Sequence, residues 1–187
     1  MQKVNDNSNE IKIKERKSDF KFYIVATIIM AVLILMITLS QVFFMGVSVR
    51  QTSMLPTLEP NDLLIVNKHK KAEVGSVIVI SGETDDMIIK RVIATDGDIV
   101  SFNEDGFVYI NGEKYVDEFG PAFYLDRLSA PFLEKILGDG EIFYLGDNRT
   151  NSRDGRDYGT CESEQVVGVV EDWSIKTKIL NKLLFWI

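Results

Sequence analysis

The chain has 187 residues, of which 45% are hydrophobic and 26% charged, with a net charge of −7. That length suits one globular domain plus an added segment. The acidic balance argues against nucleic acid as a partner and against polybasic attachment to anionic lipid. A single cysteine, Cys161, and a single histidine, His69, exclude an intrachain disulfide and a Cys/His zinc centre.

The chain opens with a polar, charged segment, residues 1–21, whose first 19 residues are expected to be disordered. Residues 22–39 then carry no charge, with Thr27 and Thr38 as the only clearly polar side chains. Ser40 and Gln41 interrupt the run, and Val42 to Val49 continues it. Such a length crosses a hydrocarbon core as a helix, and a buried core helix would be shorter and would show a polar stripe. A cleavable signal peptide is the competing reading, but it calls for a shorter apolar core and a small-residue cleavage site. The expected division is a basic cytoplasmic segment 1–21, a transmembrane helix 22–47 and an outer domain 48–187. Lys12, Lys14, Arg16, Lys17 and Lys21 precede the span, while only Arg50 follows it closely. The positive-inside rule places the N-terminus in the cytoplasm and the rest outside. The first 21 residues hold six basic and four acidic side chains, so the remainder carries −9.

Beyond the span, short runs rich in Val and Ile alternate with Gly, Asp and Asn. Strands are expected at 62–66, 74–80, 87–94, 98–102, 107–110, 114–116, 141–145 and 166–170. Asn111-Gly112 marks a hairpin, and Gly97 marks a turn. Residues 117–140 read as a long loop, with a short helix near 131–137. The expected fold is a mainly β domain, closed or sandwiched. The apolar stretch Ile179–Ile187 is too short for a second span. It either packs on the β domain or lies in the membrane interface with Trp186 at headgroup level.

Ser53, in Thr52-Ser53-Met54-Leu55-Pro56-Thr57-Leu58, lies a few residues beyond the apolar segment. A serine nucleophile needs a base, and histidine is the usual one. His69 sits in the cationic run Asn67-Lys68-His69-Lys70-Lys71 with no evident orienting carboxylate, and reads as an exposed surface histidine. A lysine serves instead if burial lowers its pKa enough to leave a neutral amine. Lys90 lies inside Met87-Ile88-Ile89-Lys90-Arg91-Val92-Ile93-Ala94, and strand alternation puts it on the face of Ile88 and Val92. On pattern alone, a lysine that snorkels to water from a sheet edge is the commoner case. The run Gly146-Asp147-Asn148-Arg149-Thr150-Asn151-Ser152-Arg153-Asp154-Gly155-Arg156 reads either as a solvated loop or as an ordered one fixed by Asp–Arg pairs.

These three segments, in this order and behind an anchor, resemble the type I signal peptidases, membrane-anchored serine–lysine proteases. The resemblance spans the anchor and nearly all of the outer domain. It implies a mainly β catalytic fold with no metal or cofactor. It implies Ser53 as acylating nucleophile and Lys90 as general base and later acid. Ser152 is expected to orient the Lys90 amine, Asp154 and Arg156 to hold the loop as an ion pair, and Asp147 to support it. The Ser53 backbone N–H is expected to bind the oxyanion. The family's second oxyanion donor stands two residues before the nucleophile, where this chain has Gln51 in place of Ser or Gly. Thr52 and Gly155 also replace the commoner Gly and Ser, and Asp96 stands where Pro is frequent. The single span and short outer domain look like the Gram-positive-type enzymes.

The resemblance implies exported preproteins with signal peptides as substrates and membrane lipid as a partner. If the span ended at Val49, four extended residues would reach roughly 14 Å, placing Ser53 near the outer surface. Met54, Leu55, Ile78, Ile80 and Ile88 are candidates to line shallow pockets for small residues, and core packing accounts for them equally well. Two other readings are a specialised relative with a narrow substrate class and a catalytically silent, membrane-tethered β domain that binds surface proteins.

Overall fold

From Gln2 to Phe43 the sequence holds neither Gly nor Pro, and these residues form one helix, α1 (Gln2–Phe43). The polar start of the chain is thus helical, contrary to the expected disorder, because nothing in it breaks the hydrogen-bond ladder. The apolar part of α1, Phe20–Phe43, has a mean hydropathy of 2.8 and is buried nowhere. Its 24 residues extend about 36 Å as a helix, enough to cross a hydrocarbon core. The computed structural model describes residues 2–82, 87–123, 130–172 and 174, with 2–19 by backbone alone. The apolar stretch Ile179–Ile187 lies outside them.

The chain divides into two units, Met1–Phe43 and Phe44–Ile187. The helix ends at Phe43, short of residue 47 where the hydropathy reading put its end, because β1 (Phe44–Ser48) follows at once. β1 pairs antiparallel with β2 (Leu63–Asn67), Gly46 lying opposite Ile65. Apolar composition alone does not separate a membrane helix from the strand that continues it.

The second unit is mainly β, as expected. Its strands continue with β3 (Val77–Ser81), β4 (Met87–Ala94), β5 (Ile99–Phe102), β6 (Val108–Ile110), β7 (Glu113–Lys114), β8 (Val116–Asp117) and β9 (Gly120–Pro121). Then come β10 (Glu134–Ile136), β11 (Glu141–Leu145), the short helix α2 (Gly155–Tyr158), β12 (Cys161–Glu162) and β13 (Val166–Val170). The large sheet runs β1-β2-β13-β3-β4-β11-β12, a smaller one runs β10-β5-β6-β7, and β8 and β9 form a hairpin. Asn111 and Gly112 have φ of 53° and 82°, the left-handed pair that a tight β6–β7 turn requires. The helix expected near 131–137 is not formed. Glu134–Ile136 instead pairs with β5, where Pro131 precedes it and a strand edge was available.

Three apolar clusters hold this unit together. β3 is buried on both faces: Val77 and Val79 join Leu64, Val66, Met54 and Leu58, whereas Ile78 and Ile80 join Val92, Ile142 and Val169. The third cluster packs Phe102 and Phe143 edge to face, centroids 6.1 Å apart, among Ile93, Val100, Val108 and Leu137. Met54 and Leu58 are 1% and 0% exposed. Burying each contributes about 2 kcal/mol, which pins the turn that carries Ser53.

Candidate active site

Ser53 sits in the turn between β1 and β2 and is almost fully buried. Lys90 lies inside β4, with β3 on one side and β11 on the other, its Cα opposite Ile78. An edge lysine reaching for water is therefore excluded. Its side chain is 1% exposed, and its Nζ lies 2.8 Å from the Ser53 Oγ. Burial among the aliphatics of the β3–β4 face lowers the Lys90 pKa from its ordinary 10.5. Asp154 opposes that shift, Arg156 adds to it and Asp147 opposes it.

β11 runs beside β4 until Leu145 stands opposite Arg91. The next residue, Gly146, thus begins the loop level with Lys90. An added Cβ at Gly146 would lie 2.2 Å from the Ser152 Oγ and 2.6 Å from the Ser53 carbonyl oxygen, so only glycine permits this approach. Ser152 lines the same cavity as Ser53 and Lys90. Its buried hydroxyl has no hydrogen-bond partner among the described residues. The contact to the Lys90 amine expected for Ser152 is thus not formed; the hydroxyl instead helps hold the Asp154 carboxylate ionised.

The carboxylates of the loop are clamped by guanidinium groups. Asp154 is fully buried and accepts from the Arg156 Nε and Nη2, both at 2.9 Å, and from the Gly146 N–H at 2.9 Å. It also caps α2 through the Arg156 N–H. Burial works against the Asp154 carboxylate, but Arg156 and Gly146 outweigh it and hold the pKa below the usual range. Arg156 further donates to the Phe123 and Arg149 carbonyls. Asp147, also buried, accepts from the Arg91 Nε at 2.8 Å and Nη2 at 2.7 Å and from the Thr57 hydroxyl. One carboxylate thus ties β4, the Ser53 turn and the loop together.

Gln51 is exposed and borders both cavities that meet at Ser53. The Ser53 N–H has no acceptor among the described residues, as an oxyanion donor requires. One cavity, of about 520 Å³, is lined by Met45, Val47, Val49, Met54, Met87 and Ile89 among others. The second, of about 680 Å³, holds Lys90, Ile88 and the loop residues 150–153. Of the side chains expected to line pockets, Met54 and Ile88 do so. Ile78 and Ile80 belong to the core, and Leu55 borders neither cavity. His69 is exposed on the turn after β2 and lines neither cavity. Cys161 is buried, its thiol pushed up to about 12 by burial, and is inert.

A serine beside a buried lysine, next to a loop of paired Asp and Arg, equips the site for acyl transfer. The family model for signal peptidase, peptidase S26, matches residues 21–173. The chain belongs to this family. A signal peptidase I of Bacillus caldolyticus is 36% identical over 149 residues, covering 72% of this chain and 81% of that protein. Signal peptidase I V of Bacillus subtilis is 27% identical over 168 residues, covering 81% and 97%. Signal peptidase IB of Staphylococcus aureus is 30% identical over 141 residues, covering 66% and 73%. A solved signal peptidase I from Enterococcus faecalis aligns with a TM-score of 0.41 at 23% identity, over 55% of this chain and 98% of that one.

Within this signal peptidase family member, sequence reasoning gave no role to Asn148 and Asn151. The Asn148 N–H donates to the Ser53 carbonyl at 2.9 Å, and its side-chain amide to the Thr52 carbonyl at 3.1 Å. The Asn151 amide reaches the Thr52 hydroxyl at 3.2 Å. Thr52 C=O and Ser53 N–H belong to one planar peptide, so fixing the carbonyl also aims the oxyanion donor. Arg149 was likewise passed over. It is buried, donates to the Gly146 and Gly120 carbonyls and pairs with Asp117, tying the β8–β9 hairpin to the loop. The only sequence signal for these roles was the density of Asn and Arg after β11.

Proposed function

We propose that this chain is a type I signal peptidase that cleaves signal peptides from exported preproteins with a Ser53/Lys90 dyad. The 2.8 Å approach of the Lys90 Nζ to the Ser53 Oγ inside an apolar environment carries this reading. The neutral amine takes the Ser53 proton as Oγ attacks the scissile carbonyl. The oxyanion so formed accepts from the Ser53 N–H, with Gln51 placed on the cavity wall as a candidate second donor. Collapse breaks the C–N bond, and the Lys90 ammonium returns its proton to the departing amine. A water then attacks the acyl ester, giving one proton to Lys90, which hands it back to the Ser53 oxygen as the acid leaves. Ser152 is the hydroxyl available to orient the amine. Asp147, Asp154 and Arg156 hold the loop in register with it.

α1 serves as the membrane anchor, with the basic residues before Phe20 on the cytoplasmic side and the catalytic domain outside. Its end at Phe43 leads directly into β1, so the apolar cavity bordered by β1 lies within a few residues of the anchor along the chain.

The experiment is cleavage of a preprotein by the full-length protein in detergent, compared with Ser53→Ala, Lys90→Ala and His69→Ala. The first two are expected to lose at least about 10³-fold in turnover while staying folded. His69→Ala is expected to match the parent. Full turnover by Ser53→Ala, or a large loss with His69→Ala, would reject the dyad.

A further inference from the structure

The two cavities that meet at Ser53 differ in chemistry. The first is walled by β1 and by Met87 and Ile89 of β4, with Arg50, Gln51 and Ser53 on the side it shares with the second. The second shares Arg50 with the first and adds Thr150, Asn151, Arg153 and Tyr158, and no carboxylate lines either cavity. Lys90 borders the second cavity and not the first.

That placement sets the direction of the substrate. The proton taken from Ser53 must pass to the departing amine, so the amine has to leave where Lys90 is open. The second cavity therefore receives the released chain, and the first holds the part that becomes the acyl group.

Arg50 and Arg153 also differ from the other arginines of the β unit among the described residues. Arg91, Arg149 and Arg156 each pair with a carboxylate: Asp147, Asp117 and Asp154. Arg50 and Arg153 are exposed and form no ion pair among the described residues. The Arg153 guanidinium lies over the Tyr158 ring, 5.8 Å from its centroid, and both side chains line this cavity. Two unneutralised cations thus border the nucleophile in a chain that is otherwise acidic.

We propose that this cavity is the leaving-chain subsite and that Arg50 and Arg153 make it select an acidic side chain at the first or second position of the released chain. The inference rests on the Ser53/Lys90 reading above. Two extended residues span roughly 7 Å, so only those nearest the cut stay beside the serine. Exposed ion pairs of this kind contribute up to about fivefold each and are screened by salt. The preference is therefore modest at physiological salt and larger below it. The acidic remainder of the domain repels an acidic chain at long range, so the selection is local to the cavity.

The test uses the full-length protein in detergent and preprotein peptides identical except for Glu, Gln or Lys at the first two positions after the cut. We expect kcat/KM to fall in the order Glu, Gln, Lys, with a Glu/Gln ratio of about three to ten at low salt. That ratio should approach one at high salt. The double variant Arg50→Gln/Arg153→Gln should bring the ratio to about one, and Arg50→Lys/Arg153→Lys should retain it. A flat order in the parent, or an unchanged ratio in the double glutamine variant, would overturn the subsite. So would the same preference for charges moved to the signal side of the bond. Cleavage that depends on Ser53 with a flat order rejects the subsite alone, whereas no cleavage of any peptide rejects the dyad as well.

Discussion

Lys90 and Ser53 are 37 residues apart in sequence, yet the amine and the hydroxyl meet at 2.8 Å. The lysine arrives from an interior strand with 1% of its surface exposed. Little of the amine is open to solvent, and its charged form is disfavoured. Pairing and burial are thus one arrangement.

Activity should rise with pH. The base must be neutral, and burial lowers the Lys90 pKa below 10.5. Below that lowered pKa, kcat/KM should fall about tenfold per pH unit, since the neutral fraction does. It should level off above it, short of 10.5. A pH–rate profile on a fixed substrate checks this, and a decline above pH 7 without unfolding would contradict a lysine base.

Lys90→Met should abolish activity and raise the thermal midpoint at neutral pH. The folded-state pKa is depressed, so between it and 10.5 the unfolded chain binds more protons. The parent's stability therefore rises with pH through that window. The advantage of methionine should be full below the window and shrink as pH climbs through it. Melting curves of parent and variant across pH measure the difference.

Asp154→Ala should both destabilise and inactivate. It removes the partner of a guanidinium that is itself buried, which costs about 3–5 kcal/mol. It also frees the Gly146 N–H beside the lysine. In the parent, the depressed Asp154 pKa implies stability that is lost as pH falls through that value. Denaturant unfolding of both proteins at pH 7 and in acid checks the loss.

Gly146→Ala should inactivate through geometry alone. The new methyl would have to displace the Ser53 carbonyl or the Ser152 side chain. Turnover should drop about 10²-fold or more, since small misplacements of reacting groups carry that cost. Far-UV circular dichroism of the variant should match the parent, because the clash is confined to the loop.

The strand pattern made much of the fold legible. Residues 87–94, 141–145 and 166–170 form strands with the expected ends, because alternating or continuous Val and Ile between turn residues has few other uses. β1 was hidden because it continues the apolar run of α1. β10 was hidden because its three residues carry no pattern and take their conformation from β5. The apolar cavity was hidden for the same reason: the hydropathy reading ran the span to residue 47 and so took in Met45 and Val47.

The sequence by itself determined the apolar N-terminal helix and the β-rich class, since residue type and local order carry those, and its resemblance to a family singled out Ser53 and Lys90. Only the tertiary structure decided that Lys90 is interior to the sheet and that Gly146 must lack a side chain. It likewise decided that Asn148 and Asn151 hold the Thr52–Ser53 peptide, and that the Ser152 hydroxyl makes no hydrogen bond to the Lys90 amine. These are relations between segments distant in the chain. Their energies depend on burial and on distances of a few ångströms, which no single segment encodes.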